Sequence, residues 1–319
     1  MSEEFSRLAL RQKQSLPLEG KIILAQQRIR EWYEHWNGQV CVSFSGGKDS
    51  TVLLHLVRDL YPDVPGVFVD TGLEFPEIRN FATSQPNVTV VRPAMRFDQV
   101  IKTHGYPVIG KRQARYIRDL QNAGDHNRAT VNLRLTGYNR AGNYCPSLKL
   151  AQKWVYLKDA PFKISEQCCD VMKKAPLKTY QKETGRKPYV GTMACESSMR
   201  ERHYLRNGCN AFDAASPISQ PLSVWLEADV LEYIDRYGLN YASIYGDIVR
   251  DDNDVPYTTG ESRTGCMFCM FGCHLEKAPN RFQRMKETHP RQYDYCMRSR
   301  EEKGLGLREV LDYIGVDCE

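Results

Sequence analysis

The chain reads as an α/β protein built on a parallel sheet, with a helical, Cys-rich C-terminal part, and three observations carry that expectation. Short apolar runs at 39–44, 67–70 and 87–91 alternate with segments of helical period, the pattern of strand–helix–strand units. The first run passes straight into Ser45-Gly46-Gly47-Lys48-Asp49-Ser50 and then into the apolar Thr51-Val-Leu-Leu-His-Leu-Val57, a strand, a glycine turn and a helix in succession. Most of the eleven cysteines stand in the second half, several in closely spaced pairs.

Taken in order, residues from about Leu18 to Trp36 have the spacing of an amphipathic helix, with Ile22, Leu24, Ala25, Ile29, Trp32 and Tyr33 on one face. Gln39 to Phe44, ending in Ser43 and Phe44, is the first strand and Thr51 to Leu60 the helix after the turn. Val67 to Asp70 and Asn87 to Val91 are further strands; a fourth falls at Pro188 to Gly191 and another helix at Ala228 to Tyr237. In a parallel sheet ligands sit beyond the carboxyl ends of the strands, so Ser45–Ser50 and Asp70-Thr71-Gly72 are expected to face one crevice. Residues 240–262, rich in Asp, Tyr and Gly, read as a long loop able to close over that site. The expected organisation is a helical extension over 1–37, a nucleotide-binding domain over 38–235 with a basic insert at 111–153, and a Cys-rich, mostly helical region over 236–319.

The turn at Ser45–Ser50 is suited to holding an anion. Two glycines let the backbone approach closely, the turn amides and the helix N-terminus supply donors and partial positive charge, and Lys48 adds a full charge. The spacing differs from the Walker loop, which has four residues between its first Gly and Gly-Lys, and from Gly-x-Gly-x-x-Gly. Ser43 and Ser45 add hydroxyls at the strand's end.

Length and a hydrophobic content of 41% suffice for one large α/β domain with an appendage. No run of 18 apolar residues occurs and Met1-Ser-Glu-Glu-Phe-Ser6 lacks a signal-peptide pattern, so a cytoplasmic protein with no membrane partner is expected. Eleven cysteines in such a chain argue for metal or redox work rather than a disulfide framework. Net charge is only +5, but 111–153 holds nine Lys and Arg against Asp119 and Asp125, interleaved with Tyr116, His126, Tyr138 and Tyr144. That composition suits a polyanion such as nucleic acid, a small anionic substrate, or a solvated face.

The motifs together support a family resemblance. Ser-Gly-Gly-Lys-Asp-Ser resembles the PP-loop of ATP pyrophosphatases, the adenine nucleotide alpha-hydrolase superfamily, which implies a Rossmann-like fold. Asp70-Thr71-Gly72-Leu-Glu-Phe-Pro-Glu77 is similar to a signature of the phosphoadenosine phosphosulfate (PAPS) reductase family. Cys168-Cys169-Asp-Val-Met-Lys173-Lys-Ala-Pro-Leu177 resembles an element of adenylylsulfate (APS) reductases. Gly191-Thr-Met-Ala-Cys-Glu196-Ser197-Ser-Met-Arg200 and Pro221-Leu222 with Trp225 and Asp229-Val230 resemble two further family elements. In the APS-reductase branch, cysteines at Cys168, Cys169, Cys266 and Cys269 are the ligands of a 4Fe-4S cluster; Cys273 offers a different fourth ligand, and four thiolates also suit zinc.

Departures from the pattern matter as well. The catalytic Glu-Cys-Gly-x-His tail of the reductases is absent, the chain ending Val316-Asp-Cys318-Glu319, and Met193 stands where the family has Arg. The intact loop suits ATP. The resemblance thus implies an ATP-using sulfurtransferase, similar to DNA-phosphorothioation ATP pyrophosphatases and cluster-bearing tRNA thiolases. It would use Lys48 and Mg2+ at the phosphates, Asp49 as metal ligand, Arg200 and Lys173 as phosphate contacts, and a sulfur-donor protein such as a cysteine desulfurase. PAPS or APS reduction with release of sulfite is the alternative, and a non-catalytic nucleotide- or nucleic-acid-binding subunit the second.

Overall fold

The apolar runs beside the glycine turn do pair as parallel strands. In the computed structural model, which describes residues 3–319, the strands are β1 Val40–Ser43, β2 Gly66–Val69, β3 Val88–Val91, β4 Val108–Ile109, β5 Lys187–Val190, β6 Asn210–Ala211, β7 Ile218–Ser219, β8 Ile248–Arg250, β9 Pro256–Thr258 and β10 Met270–Phe271. The helices are α1 Glu3–Gln14, α2 Leu18–His35, α3 Lys48–Leu60, α4 Pro76–Ser84, α5 Phe97–His104, α6 Lys111–Gln121, α7 Arg128–Thr136, α8 Ala175–Thr184, α9 Ser198–Asn207, α10 Glu227–Tyr237, α11 Arg281–Thr288, α12 Pro290–Met297 and α13 Leu307–Tyr313.

Two compact units divide the chain. The first runs to Asp70 and takes in Glu74–Arg92 and Pro176–Thr264; the second comprises Thr71–Leu73, Pro93–Ala175 and Gly265–Glu319. These boundaries cross those expected at 37 and 235, for reasons visible in the pairing. β5 lies beside β1 and β7 beside β5, so the chain returns to the sheet after its basic segment. The antiparallel hairpin of β8 and β9 also stays with the first unit, and 240–262 is therefore partly ordered as a hairpin rather than one long loop. In the second unit β4 pairs in parallel with β10, joining 93–175 to 265–319.

The first unit holds a six-stranded sheet in the order β3-β2-β1-β5-β7-β6, parallel except for β6 at one edge. β1 is central and buried, as expected of a strand covered on both faces. The helix expected over 18–36 is integral to this core: Leu18, Lys21, Ala25, Ile29 and Trp32 are buried at the three- and four-residue spacing of one face, and Tyr189 on β5 donates its hydroxyl to the Ile29 carbonyl at 2.8 Å. Trp32 and Trp225 are fully enclosed. Lys21 was not readable as a core position. It is 2% exposed and pairs with Asp229 at 2.6 Å, which fastens α2 to the first turn of α10.

In the second unit α6 and the segment Gln152–Asp159 pack together, while Tyr106 donates to the Leu305 carbonyl at 2.8 Å. Helices α11 to α13 provide the helical C-terminal part. Among the described residues no helix is long and apolar enough to cross a membrane.

Candidate functional site

The glycine turn leaves β1 at the carboxyl edge of the sheet. Ser43 is in register with Val67 on β2 and Val190 on β5, and the Phe44 amide donates to the Val67 carbonyl at 2.9 Å, so the turn and Asp70 emerge from neighbouring parallel strands. Gly46 has φ +74, and a Cβ there would lie 2.9 Å from the Ile78 carbonyl oxygen, so no other residue fits without movement of α4. Gly191, directly after β5, makes a close approach: a Cβ would stand 3.0 Å from the Asp49 carbonyl oxygen, so a larger residue would need the Asp49 backbone to give by a few tenths of an ångström.

Helix α3 begins at Lys48, three residues before the expected start. The Ser50 hydroxyl donates to the Gly47 carbonyl at 2.8 Å and accepts from the Ser45 amide at 3.1 Å, while the Thr51 hydroxyl also donates to Gly47 at 3.1 Å. These bonds hold the turn in its hook, with the helix N-terminus beneath it, an arrangement that attracts anions. Lys48 is 5% exposed. Its Nζ donates to the Ser262 carbonyl at 2.8 Å, pairs with Glu227 at 2.9 Å and stands 5.2 Å from the Tyr245 ring centroid. The Tyr245 hydroxyl accepts from the Lys48 amide at 3.4 Å and meets the Thr264 hydroxyl at 2.5 Å.

Asp49 Oδ1 is buried without a hydrogen-bond partner among the described residues. Burial pushes this carboxyl up; Lys48, Arg263 and Arg200 oppose that push, and Glu227 adds to it. Arg200, on α9, pairs with Glu196, which also accepts from the Met193 amide at 2.8 Å; the Ser197 hydroxyl caps α9 by accepting from the Arg200 amide at 3.3 Å. Burial and the Arg263 charge lower the Arg200 guanidinium. The first unit thus gathers Ser43, Ser45–Ser50, Gly191, Glu196, Ser197 and Arg200, together with Glu227, Tyr245, Ser262, Arg263 and Thr264, which sequence reasoning missed. The available signal was Ser262-Arg-Thr264, a polar triplet just before Cys266 that reads as ordinary loop.

Asp70 is 6% exposed, and its carboxylate is engaged. Arg79 approaches both oxygens at 3.0 Å and Arg92 one of them at 3.3 Å. Burial raises the carboxyl, but the hydrogen bonds and charge of Arg79, then of Arg92, outweigh it and hold Asp70 below its ordinary value. Thr71 and Gly72 belong to the second unit, where Thr71 Oγ1 accepts from the Leu73 amide at 3.1 Å and Gly72 turns the chain.

In the second unit Cys168, Cys169, Cys266 and Cys269 line one pocket of about 20 Å3 with Leu73, Phe97, Pro107, Met172, Lys173 and Phe268. Cys168 and Cys169 lead into a wide turn of helix at Asp170–Lys174; the Cys269 amide donates to the Cys266 carbonyl at 3.1 Å, and Arg281 donates to the Cys269 carbonyl at 2.8 Å. Of the adjacent pair, Cys169 is the more acidic. Cys168 donates to it at 3.9 Å, burial pushes the other way, and the ammonium groups of Lys111 and Lys173 add to the lowering. Lys173 is therefore a neighbour of the thiols. Cys273 lies outside this group, its thiol directed to the Met270 carbonyl at 3.0 Å. Among the described residues no three His, Cys, Asp or Glu converge in the manner needed to hold a single metal ion. Cys318 is 1% exposed, and Tyr293 donates to its carbonyl at 2.6 Å, so it is packed rather than carried on a free tail.

Residues 39–118 match the family model described as the phosphoadenosine phosphosulfate reductase domain. An uncharacterized protein of Methanocaldococcus jannaschii is 25% identical over 92% of this chain, which spans 55% of that protein. The phosphoadenosine 5'-phosphosulfate reductase of Photorhabdus laumondii is 38% identical over 25% of this chain and 34% of its own length; that of Serratia proteamaculans is 42% identical over 18% and 23%. The chain thus spans about half of the first relative and about a third and a quarter of these two reductases. A solved phosphoadenylyl-sulfate reductase from Candida auris, in complex with phosphate, aligns with 76% of this chain and 98% of its own at a TM-score of 0.39 and 16% identity. The segment that matches the phosphoadenosine phosphosulfate reductase domain contains β1, the glycine turn, Asp70 and the start of the basic helix.

Proposed function

We propose that the chain is an adenine-nucleotide-dependent sulfur-handling enzyme, an ATP-using sulfurtransferase that adenylates an acceptor and then exchanges AMP for sulfur. The observation carrying this reading is the intact Ser45–Ser50 hook at the N-terminus of α3, with Lys48 and the unpartnered Asp49 Oδ1 beside it. The turn amides and Lys48 would bind the triphosphate, and Arg200 and Arg263 would balance charge developing at the α-phosphate. An acceptor oxygen attacks the α-phosphorus, the bond to the β-phosphate breaks, and pyrophosphate leaves. A reduced sulfur nucleophile, delivered by a donor protein such as a cysteine desulfurase, then displaces AMP.

The donor chemistry of the residues present suits two further groups. A magnesium ion would supply charge neutralisation at the phosphates, and Asp49, with a buried oxygen lacking any donor, is its ligand in this reading. A 4Fe-4S cluster would supply a sulfur- or electron-handling centre, held by Cys168, Cys169, Cys266 and Cys269 in apolar surroundings. Zinc is the lesser alternative, since four thiolates also suit it and the family resemblance favours the cluster.

The test is anaerobic purification with iron, sulfide and zinc quantified, followed by assays for pyrophosphate from ATP and sulfite from PAPS or APS. ATP-dependent pyrophosphate release is expected, with Lys48→Ala abolishing it while leaving iron and sulfide content intact. Retained turnover in Lys48→Ala removes the hook from the mechanism. The match to reductases favours a second reading, sulfite release from PAPS or APS, which the same assay detects directly. Tight ATP binding without pyrophosphate release, even with the partner protein present, would make the chain a non-catalytic subunit.

A further inference from the structure

The second unit carries a cationic, aromatic surface that the nucleotide site does not use. Of nine Lys and Arg in 111–153, several are already engaged. Arg118 pairs with Glu166 at 3.0 Å, Arg128 with Asp125 at 2.6 Å, and Arg134 with Asp119 at 2.9 Å while stacking 3.9 Å from the Tyr116 ring. Lys111 attends Cys169, and Lys153 lies 5.0 Å over Trp154. Both carboxylates of the segment are thereby taken. Arg112, Arg115, Arg140 and Lys149 remain, with no carboxylate partner among the described residues. The three arginines are exposed and Lys149 half-buried.

Arg140 and Lys149 belong to or adjoin a small, firmly built hairpin. The Asn139 amide donates to the Asn143 carbonyl at 3.0 Å and the Cys145 amide to the Gly137 carbonyl at 2.7 Å, while Asn139 Oδ1 accepts from the Ala141 and Asn143 amides at 3.0 and 2.9 Å. Tyr138 and Tyr144 oppose each other across it with ring centroids 5.2 Å apart, and they are 49% and 55% exposed. Two large rings left in water on an ordered turn are a feature that folding does not require. The chain leaving the hairpin runs back along α6: Ser147 accepts from Tyr116 at 3.1 Å, and the Ala151 amide donates to Gln113 at 3.1 Å. Lys149 sits between, its stem against Gly137, and Arg112 and Arg115 lie on the exposed side of α6, which buries Ala114, Tyr116, Ile117 and Leu120.

We infer that this surface binds single-stranded nucleic acid, with bases stacking on Tyr138 and Tyr144 and phosphates on Arg112, Arg115, Arg140 and Lys149. Stacking rings beside unpaired cations are what a single strand recognises, since every base has a face and every linkage a charge. Uncompensated positive charge selects a polyanion. A duplex keeps its bases stacked internally and cannot use the rings.

The inference stands independently of nucleotide turnover, because binding is measured with no ATP present. Fluorescence anisotropy of the full chain with labelled single-stranded DNA and RNA oligonucleotides, over a salt series, is the experiment. Four cations at about −0.7 each give an expected slope near −3 for log affinity against log salt. Arg112→Gln/Arg115→Gln should halve that slope, and Tyr138→Ala and Tyr144→Ala should each weaken binding about tenfold with the slope unchanged. All four positions are exposed, so these variants keep their fold, which circular dichroism verifies. Absence of binding at low salt, duplex bound as tightly as single strand, anionic vesicles bound in preference to oligonucleotide, or variants without effect would each overturn the assignment. Lys48→Ala should bind oligonucleotide as wild type does, which separates a failure here from a failure of the hook.

Discussion

Replacing Lys21 by Met tests how the sheet unit supports its glycine hook. The Lys21 ammonium is 2% exposed and lies 2.6 Å from Asp229 Oδ2, the same oxygen that accepts the Leu226 amide at 2.6 Å at the start of α10. Methionine fills much the same volume but leaves a largely enclosed carboxylate without its counter-charge. Breaking such a pair from one side costs about 3–5 kcal/mol, and the 14% exposure of Asp229 places this case near 3. For a unit of this size that is a fall in Tm of roughly 6–12 °C. Lys21→Met/Asp229→Asn, which keeps an oxygen for Leu226 and removes the orphaned charge, should recover at least half of the loss. Calorimetry of wild type, both single variants and the double variant measures the coupling. Because Glu227 stands two residues before Asp229, the single variant should also loosen the Glu227 grip on Lys48 and change nucleotide affinity. A Lys21→Met protein within about 0.5 kcal/mol of wild type, or strictly additive single variants, would refute the reasoning.

Three further outcomes are expected. Asp70 is held below its ordinary carboxyl value, so its pairing with Arg79 and Arg92 stabilises the protein above about pH 4 and is lost as pH falls through the folded value. Both guanidinium groups are substantially open to water, so Asp70→Asn should cost no more than about 1–2 kcal/mol at pH 7 and progressively less as pH falls below about 4, which thermal melts over a pH series check. Asp49→Asn removes a carboxylate whose buried oxygen has no donor, so it should leave Tm unchanged or raise it while abolishing magnesium-dependent pyrophosphate release; a lower Tm with turnover retained counts against a metal role. Cys318 is enclosed, so Cys318→Ser should leave any PAPS-dependent sulfite release unchanged at a stability cost of about 1 kcal/mol, and loss of sulfite would make that thiol the reductant.

The strands beside the hook, the hook itself and the amphipathic character of α2 were legible because each depends on contiguous residues: an apolar run, two glycines, a repeating face. The two-residue strands β6 and β7 were not, since a pair of residues carries no period. Lys21 was not legible as a core position for a different reason. Lysine reads as solvent-facing, and only the carboxylate of Asp229, 208 residues away, makes its burial tolerable.

The family resemblance grouped Cys168, Cys169, Cys266 and Cys269 and left Cys273 open as a further candidate; in the fold the first four line one pocket, and the Cys273 thiol is directed to the Met270 carbonyl. For the domain at 39–118, the sequence by itself determined where the chain makes its glycine hook, because backbone conformation at Gly46 is a local property. What surrounds that point was decided only by tertiary structure. Lys48 meets Tyr245 and Ser262 across separations of 197 and 214 residues, and Asp70 spends its charge on Arg79 and Arg92. Electrostatic partnership depends on distance in space, and chain order does not encode that distance.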